Sequence, residues 1–178
     1  MFVTGLGGAA ALSNAAAATA SPPSASNYDS KVGPAFNGAI GYHWNDWISL
    51  QARYIWNRNQ IVSTEVSSGN FRQISDVSKQ QAVASEMLVY FRPRSSRIRP
   101  YLSAGPAWVR LSSRDNTTQN RLGWPVAVGA DVMLRAGWGL RYSFSETMSA
   151  NPFAAALNPP AHNTLMNFQN LFGFVKVF

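Results

Sequence analysis

The sequence FNGAIGYHWNDWISLQARYIW, residues 36–56, alternates apolar with small or polar side chains on both sides of a short polar turn. The apolar positions start at Phe36 before the turn and at Ile48 after it, and the turn itself is Asn45-Asp46. An alternation of period two is typical of a β-strand with one apolar face, and two such stretches joined by a tight turn form a β-hairpin. Residues 36–56 therefore predict two antiparallel strands.

The same alternation recurs along the rest of the chain. A second clear hairpin runs from Trp124 to Phe144 and reverses at residues 135–137. Together these stretches predict eight strands, with approximate cores at residues 2–12, 34–44, 47–57, 81–92, 100–111, 123–134, 137–146 and 166–178. The connections alternate between shorter ones, at 45–46, 93–99 and 135–136, and long ones, at 13–33, 58–80, 112–122 and 147–165. Short turns on one side and long loops on the other are typical of transmembrane β-barrels.

The composition favours a membrane barrel over a soluble one. Hydrophobic residues make up 46% of the 178 residues and charged residues only 13%, which leaves little charge to coat a soluble barrel. No apolar run approaches the ~18 residues that a transmembrane helix requires, so the sequence excludes a helical membrane protein. We therefore predict one all-β domain over residues 1–178: an eight-stranded antiparallel up-and-down barrel with its apolar face outward.

The charge and the lack of cysteine limit the function further. The chain contains no cysteine, which excludes disulfides, thiolate metal sites and cysteine nucleophiles. We predict no metal and no cofactor. The net charge is +7, but the basic residues are scattered rather than gathered on one face. This argues against a nucleic-acid partner and favours anionic lipid head groups.

Five of the six tryptophans fall near predicted strand ends. They are Trp44, Trp47, Trp56, Trp124 and Trp138. Tryptophan at these places is typical of the aromatic girdles that lie at the head-group level of a bilayer, although aromatic residues are also common in ordinary β cores. We predict an aromatic girdle at these positions.

Three stretches resemble small outer-membrane β-barrels of the OmpA-like or OmpX-like transmembrane barrel family. Residues 99–106, RPYLSAGP, look like one strand of that family, and residues 129–142 look like its strand, tight turn and returning strand. The final stretch LFGFVKVF, residues 171–178, is similar to the C-terminal signal that the outer-membrane insertion machinery reads. Its aromatic residues are Phe172, Phe174 and Phe178, while Lys176 departs from the pattern.

The resemblance implies the outer membrane of a Gram-negative bacterium, with periplasmic termini and extracellular long loops. It also implies outer-membrane lipids and lipopolysaccharide as partners, the insertion machinery as a partner during biogenesis, and room for a protein partner in an envelope complex. Residues 1–20 are Ala-rich but lack a basic start. We therefore interpret residues 2–12 as the first strand and expect the signal peptide upstream of the sequence shown.

Four charged residues fall on the parity opposite the apolar face: Arg53, Glu86, Asp131 and Arg141. The interior of an eight-stranded barrel is just wide enough to be filled by side chains, and buried charges require partners. Two arginines balance two carboxylates. We predict a charge network that plugs the lumen, in preference to a proton or ion pathway or an acid/base pair formed by Glu86 and Asp131.

The connection at 93–99 lies in a basic stretch. Its arginines are Arg92, Arg94, Arg97 and Arg99. They are candidates for contacts with the phosphates of lipid head groups, and the alternative is that they only keep the turn in water.

These features predict a structural or interaction protein that displays its extracellular loops and can serve as a subunit of an envelope assembly. The first alternative is a narrow channel or transporter for small or apolar solutes, of the OmpW-like kind. A second alternative rests on His162 and Thr164, which faintly resemble the His-x-Ser element of lipid A deacylases, with Thr in place of Ser. We predict that the protein is not an enzyme.

Overall fold

A computed structural model describes residues 1–13, 17–20, 24–67, 70–112, 118–150 and 164–178. The strands in these ranges are β1 (Phe2–Leu12), β2 (Ala17–Ala20), β3 (Ser24–Ser30), β4 (Gly33–His43), β5 (Ile48–Ser67), β6 (Asn70–Tyr90), β7 (Ile98–Ala104), β8 (Ala107–Ser112), β9 (Thr118–Met133), β10 (Trp138–Ala150) and β11 (Thr164–Val177). Within the same ranges, no helix is long and apolar enough to cross a membrane.

The strands close into a ring. Strand β1 pairs with β4 on one side and with β11 on the other. The pairings β4–β5, β5–β6, β9–β10 and β10–β11 continue the ring. Strands β7 and β8 lie end to end between β6 and β9, so together they occupy one position. The ring thus has eight positions joined by antiparallel pairings, which confirms the predicted eight-stranded antiparallel barrel.

A short break at Gly105 and Pro106 separates β7 from β8. Proline has no backbone N–H to donate to a neighbouring strand. A Cβ atom on Gly105 would lie 1.9 Å from the carbonyl oxygen of Ser85 on β6. Ser103 and Ala107 are both buried, so the inward parity continues across the break. The break interrupts the ladder without changing which side chains face the lumen.

The two ends of the ring differ in length. One end, called the turn end below, carries the connections at residues 44–47, 91–97 and 134–137. At the opposite end, called the hairpin end, β5 and β6 continue to Ser67 and Asn70 and remain paired. There the hairpin of β2 and β3 adds to β5 through β3.

The prediction of a long loop at residues 58–80 is therefore wrong. Most of these residues belong to β5 and β6, and parts of the predicted loops at 13–33 and 112–122 form β2, β3 and the start of β9. An apolar–polar alternation marks a strand only where one face lies against apolar surroundings. A ribbon that extends beyond the barrel has no such requirement, so its sequence lacks the alternation.

The outer wall of the ring is apolar and the interior is largely polar. Large hydrophobic side chains that point outward include Ile40, Tyr42, Leu50, Val83, Met87, Leu102, Val128, Tyr142, Phe172 and Phe174. Buried polar side chains include Asn37, Gln51, Arg53, Gln80, Glu86, Asp131, Arg141 and Gln169. A water-soluble barrel has the reverse distribution.

Candidate functional site

One ion pair joins neighbouring strands β5 and β6 inside the barrel. Arg53 Nη2 donates to Glu86 Oε1 at 2.6 Å, and Gln51 Nε2 donates to Glu86 Oε2 at 2.6 Å. Gln51 and Glu86 are directly opposite in the ladder. All three side chains are buried. Both oxygens of the carboxylate are therefore engaged, as a buried charge requires.

A second ion pair joins β9 and β10 nearer the turn end. Arg141 Nε and Nη2 donate to Asp131 Oδ1 and Oδ2 at 2.5 and 2.7 Å. The Tyr90 hydroxyl donates to Asp131 Oδ2 at 3.1 Å. The Arg141 guanidinium also lies 4.9 Å from the centre of the Tyr101 ring and 5.3 Å from that of Phe2. This bidentate pair is enclosed by aromatic rings.

The structure thus brings the four charged residues together as two separate pairs. Glu86 belongs with Arg53, and Asp131 belongs with Arg141. Both oxygens of each carboxylate accept hydrogen bonds from buried side chains. The arrangement can bind neighbouring strands together and fill space, but it does not resemble an acid/base site.

A network of buried amide side chains lies next to these pairs. The predicted charge network does not include these residues. Its side chains are Asn37, Asn57, Asn59, Gln80, Asn167 and Gln169. Asn167 Nδ2 donates to Asn57 Oδ1 at 2.8 Å and to Gln80 Oε1 at 2.9 Å. Gln169 accepts from Asn37 at 3.0 Å. The network crosses the lumen between β4, β5, β6 and β11. The parity that predicts an inward Arg53 also places Asn57 inward, so the sequence does carry the signal.

An apolar cluster lies beside the amides and extends toward the hairpin end. It contains Leu12, Ile55, Ile61, Ala82, Ala84, Ala107, Val109, Leu111 and Leu165, all buried. On the inward face of β5, Ile55 and Ile61 flank Asn57 and Asn59. The interior is thus charged and aromatic near the turn end and apolar toward the hairpin end.

The tryptophans form two rows on the outer wall. Trp44, Trp47 and Trp138 lie at the turn end, and all are exposed. Trp56 and Trp124 lie within β5 and β9, because both strands extend beyond their predicted cores. Trp47 and Trp56 are separated by about 30 Å of strand at ~3.3 Å per residue, or roughly 22 Å along the axis of a tilted barrel.

Trp108 on β8 completes the second row, although it is not among the five predicted girdle residues. It lies opposite Val83, which in turn lies opposite Tyr54, two residues from Trp56. On its other side Trp108 lies opposite Leu122, two residues from Trp124. The separation of the two rows is close to the ~25 Å apolar band of outer-membrane barrels.

The arginines of the basic stretch do not share one environment. Arg92, Arg94 and Arg97 are exposed at the turn end, and Arg94 Nε lies 3.3 Å from Asp46 Oδ1. Arg99 is buried inside the barrel, with its guanidinium 3.8 Å from the centre of the Tyr90 ring. The predicted head-group contact of Arg99 is wrong, because β7 begins at Ile98 and the next residue points inward.

The last strand presents its aromatic residues to the outside. Phe172, Phe174 and Phe178 are exposed, and β11 pairs with both β10 and β1. Lys176 Nζ donates to the Ala136 carbonyl oxygen at 2.6 Å and lies 5.1 Å from the Trp138 ring. Its ammonium thus lies at the turn end, beside the tryptophan row.

The two histidines differ in what the structure describes. His43 is buried inside the barrel, and its Nδ1 lies 2.7 Å from Ser49 Oγ. His162 lies outside the described residues. In the part of the chain that the structure describes, no group of three or more His, Cys, Asp or Glu could hold a metal ion.

Ring closure, an apolar outer wall and two tryptophan rows together describe a membrane-spanning barrel. The family model "Outer membrane protein beta-barrel domain" matches residues 3–170. The chain belongs to this family. Membership confirms the resemblance to OmpA-like barrels of Gram-negative bacteria and assigns the protein to the bacterial outer membrane.

Solved structures of other outer-membrane barrels share the fold. Neisserial surface protein A superposes with a TM-score of 0.69 at 15% identity, over 99% of this chain and 96% of that chain. OprG from Pseudomonas aeruginosa gives 0.66 at 14%, over 99% and 95%. The N-terminal barrel of OprF from the same species gives 0.51 at 12%, over 97% and 96%. No curated protein sequence matches the chain.

Proposed function

We propose that this protein is a closed outer-membrane barrel, one domain over residues 1–178, that serves as a structural and interaction element rather than as a channel or an enzyme. The observation that carries the proposal is the set of buried side chains inside the ring. Two buried ion pairs and the amide network lie there, and side chains are able to fill the interior of a ring of eight strands. In this proposal, the residues that carry the function lie on the outer surface and at the hairpin end.

In this proposal the hairpin end faces the cell exterior and the turn end faces the periplasm. Short periplasmic turns and longer extracellular segments are typical of such barrels. Beyond Trp56, β5 continues to Ser67, which is about 35 Å of strand at ~3.3 Å per residue. The paired β5–β6 ribbon, extended by β2 and β3, would display a surface well above the membrane, suitable for a protein partner.

A basic belt on the outer wall supports lipopolysaccharide as a partner. The belt consists of Arg58, Lys79, Arg110 and Arg121, all exposed. Arg58 and Lys79 lie directly opposite each other in the ladder. Like charges directly opposite each other destabilise a sheet. Among the described residues, the belt forms no ion pair with an acidic side chain. A bound anion would offset the repulsion.

The belt lies at the level where such anions are found. Arg58 is two residues beyond Trp56, and Arg110 is two residues beyond Trp108, in both cases toward the hairpin end. The tryptophan row marks the membrane–water interface. Guanidinium groups just outside it are placed to bind the phosphates of lipopolysaccharide in the outer leaflet.

Lipopolysaccharide retention tests the belt and the orientation together. The barrel is extracted from cells in mild detergent, and lipopolysaccharide is quantified per barrel. We expect Arg58→Ser/Lys79→Ser/Arg110→Ser to retain less by at least about fivefold, or roughly 1 kcal/mol. The matched control Arg92→Ser/Arg94→Ser/Arg97→Ser removes the same charge at the turn end and should retain the wild-type amount. Equal retention by all three proteins would contradict the proposal.

A narrow channel is the second candidate function, and one observation favours it. The inward hydroxyls of Ser145, Thr147 and Ser149 form a row along β10, and none has a hydrogen-bond partner among the described residues. Buried polar atoms normally have partners, and a row of hydroxyls is suited to pass water or small polar solutes. A conductance measurement distinguishes this candidate from the closed barrel.

A further inference from the structure

A cavity of about 760 Å³ opens at the turn end between the connections 91–97 and 134–137. Its lining combines Arg97 and Arg135 with the apolar side chains of Met133 and Leu134. The Met133 N–H donates to the Arg97 carbonyl oxygen at 2.7 Å. The two turns are therefore fixed to each other through the backbone.

The charge of the cavity favours an anion. Arg94 also lines it, but Arg94 is paired with Asp46, and both side chains of this pair are about half exposed. Such an exposed pair is weak. Arg97 and Arg135 take part in no ion pair described by the structure. Two guanidiniums at one cavity present planar donor pairs that bind a phosphate bidentately.

The apolar part of the cavity is continuous with the outer wall. Leu134 lines the cavity and is 52% exposed. Ile98 follows the lining residue Arg97, lies opposite Val132 in the ladder and is 48% exposed. The Leu134 N–H donates to the carbonyl oxygen of Trp138 at 2.7 Å, and Trp138 belongs to the turn-end tryptophan row. The cavity therefore lies at the membrane–water interface, where a phospholipid changes from a charged head group to acyl chains.

We infer that this cavity binds an anionic glycerophospholipid, with its phosphate on Arg97 and Arg135 and its acyl chains beside Leu134 and Ile98. The inference rests on the proposed function in one respect: the turn end must face the phospholipid leaflet. An anionic head group is favoured over a zwitterionic one, because an added ammonium is repelled by the neighbouring arginines. In this inference, Arg97 and Arg135 make the lipid head-group contact that the basic stretch suggests.

Competitive lipid binding tests the inference. The purified barrel in detergent receives equal amounts of phosphatidylglycerol and phosphatidylethanolamine, and native mass spectrometry counts the bound lipids. We expect the wild type to prefer phosphatidylglycerol about tenfold, which corresponds to about 1.4 kcal/mol. Arg97→Ser/Arg135→Ser should bind both lipids equally. Arg92→Ser/Lys31→Ser removes the same charge from exposed positions outside the cavity and should keep the preference.

A wild type without preference would overturn the inference, and so would a control that loses the preference as fully as the cavity variant. Displacement of phosphatidylglycerol by inorganic phosphate at equal concentration would also overturn it, by identifying a site for free phosphate. Each variant is checked for folding by its heat-dependent gel migration. If the double variant does not fold, Arg97→Ser and Arg135→Ser are tested singly, and each should reduce the preference. Binding in detergent depends neither on conduction nor on orientation, so its failure leaves the proposed function standing.

Discussion

Glu86 and Asp131 are held inside the barrel by donors to both of their carboxylate oxygens. Glu86 accepts from Gln51 and Arg53, and Asp131 accepts from Arg141. A buried carboxylate remains charged at low cost only while these contacts are intact. Removing one partner is therefore more harmful than removing both.

Substitution of Arg141 tests this at the residue scale. Arg141→Met leaves the buried Asp131 carboxyl group without its main partner, so we expect the free energy of unfolding to fall by about 3–5 kcal/mol. Arg141→Met/Asp131→Asn removes both charges and should regain at least half of that loss. The free energy of unfolding is measured by urea unfolding in detergent, with tryptophan fluorescence as the signal.

The exposed Arg92 serves as the control for that experiment. Arg92→Met should change the free energy of unfolding by less than about 0.5 kcal/mol, as is usual for surface substitutions. A double variant that is less stable than Arg141→Met would show that the pair does not act as described.

At the same scale, the parity of the sequence is sufficient to predict that Arg53, Glu86, Asp131 and Arg141 point into the barrel. Parity does not predict which arginine pairs with which carboxylate. That choice depends on the register, which sets Arg141 opposite Asp131. In a hairpin the register follows from the turn type and the loop length, so it depends on the exact residues of the turn at 134–137 and not on parity alone.

Among the elements, the break between β7 and β8 depends on a residue without a side chain. A Cβ atom at Gly105 would lie 1.9 Å from the Ser85 carbonyl oxygen, whereas one at Gly5 meets nothing within 4 Å. The contact at Gly105 is with the backbone of β6, so β6 would have to move away from the break between β7 and β8. The pairing of β6 with β7 and with β8 would weaken.

We therefore expect opposite results for two alanine substitutions. Gly105→Ala should lower the free energy of unfolding by at least about 2 kcal/mol through backbone displacement. Gly5→Ala should leave it unchanged or raise it by up to about 1 kcal/mol, since alanine restricts the unfolded chain. The temperature at which each folded barrel changes its gel migration reports the difference. Equal behaviour of the two variants would show that Gly105 does not constrain the break.

The long strands β5 and β6 show why element boundaries are only partly predictable. Their membrane-embedded halves alternate clearly, and the predicted cores agree with the structure there. Asn59 and Gln80 lie beyond those cores, in residues predicted as loop, so the sequence does not predict their inward positions. Hydrogen bonding along the ladder extends these strands without requiring a sequence pattern.

For the whole molecule, the interior combines two kinds of packing that a single parity rule does not distinguish. The rule assigns apolar residues to the outer wall, yet Ile55 and Leu165 are buried in the apolar cluster. An eight-stranded barrel is narrow enough for apolar side chains from opposite strands to meet. The polar lumen predicted from the sequence is therefore only part of the filling.

Two basic features, the belt and the turn-end cavity, lie on the outside of the barrel, one near each tryptophan row. The basic belt lies beyond one tryptophan row and the turn-end cavity lies at the other. In the proposed orientation, each faces the phosphates of a different leaflet. The barrel would be bound electrostatically at both interfaces while its ribbon remains free for a protein partner. This role does not require a path through the lumen.

Single-channel recording in planar bilayers tests the filled lumen most directly. The purified, folded barrel is inserted at moderate ionic strength, and its insertion is verified by heat-dependent gel migration of the protein recovered from the same preparation. The filled lumen predicts a flat baseline, with no steady unit conductance across the physiological range of voltage. Steady, reproducible conductance steps from the wild-type barrel would contradict it and would favour the channel that the row of hydroxyls on β10 suggests.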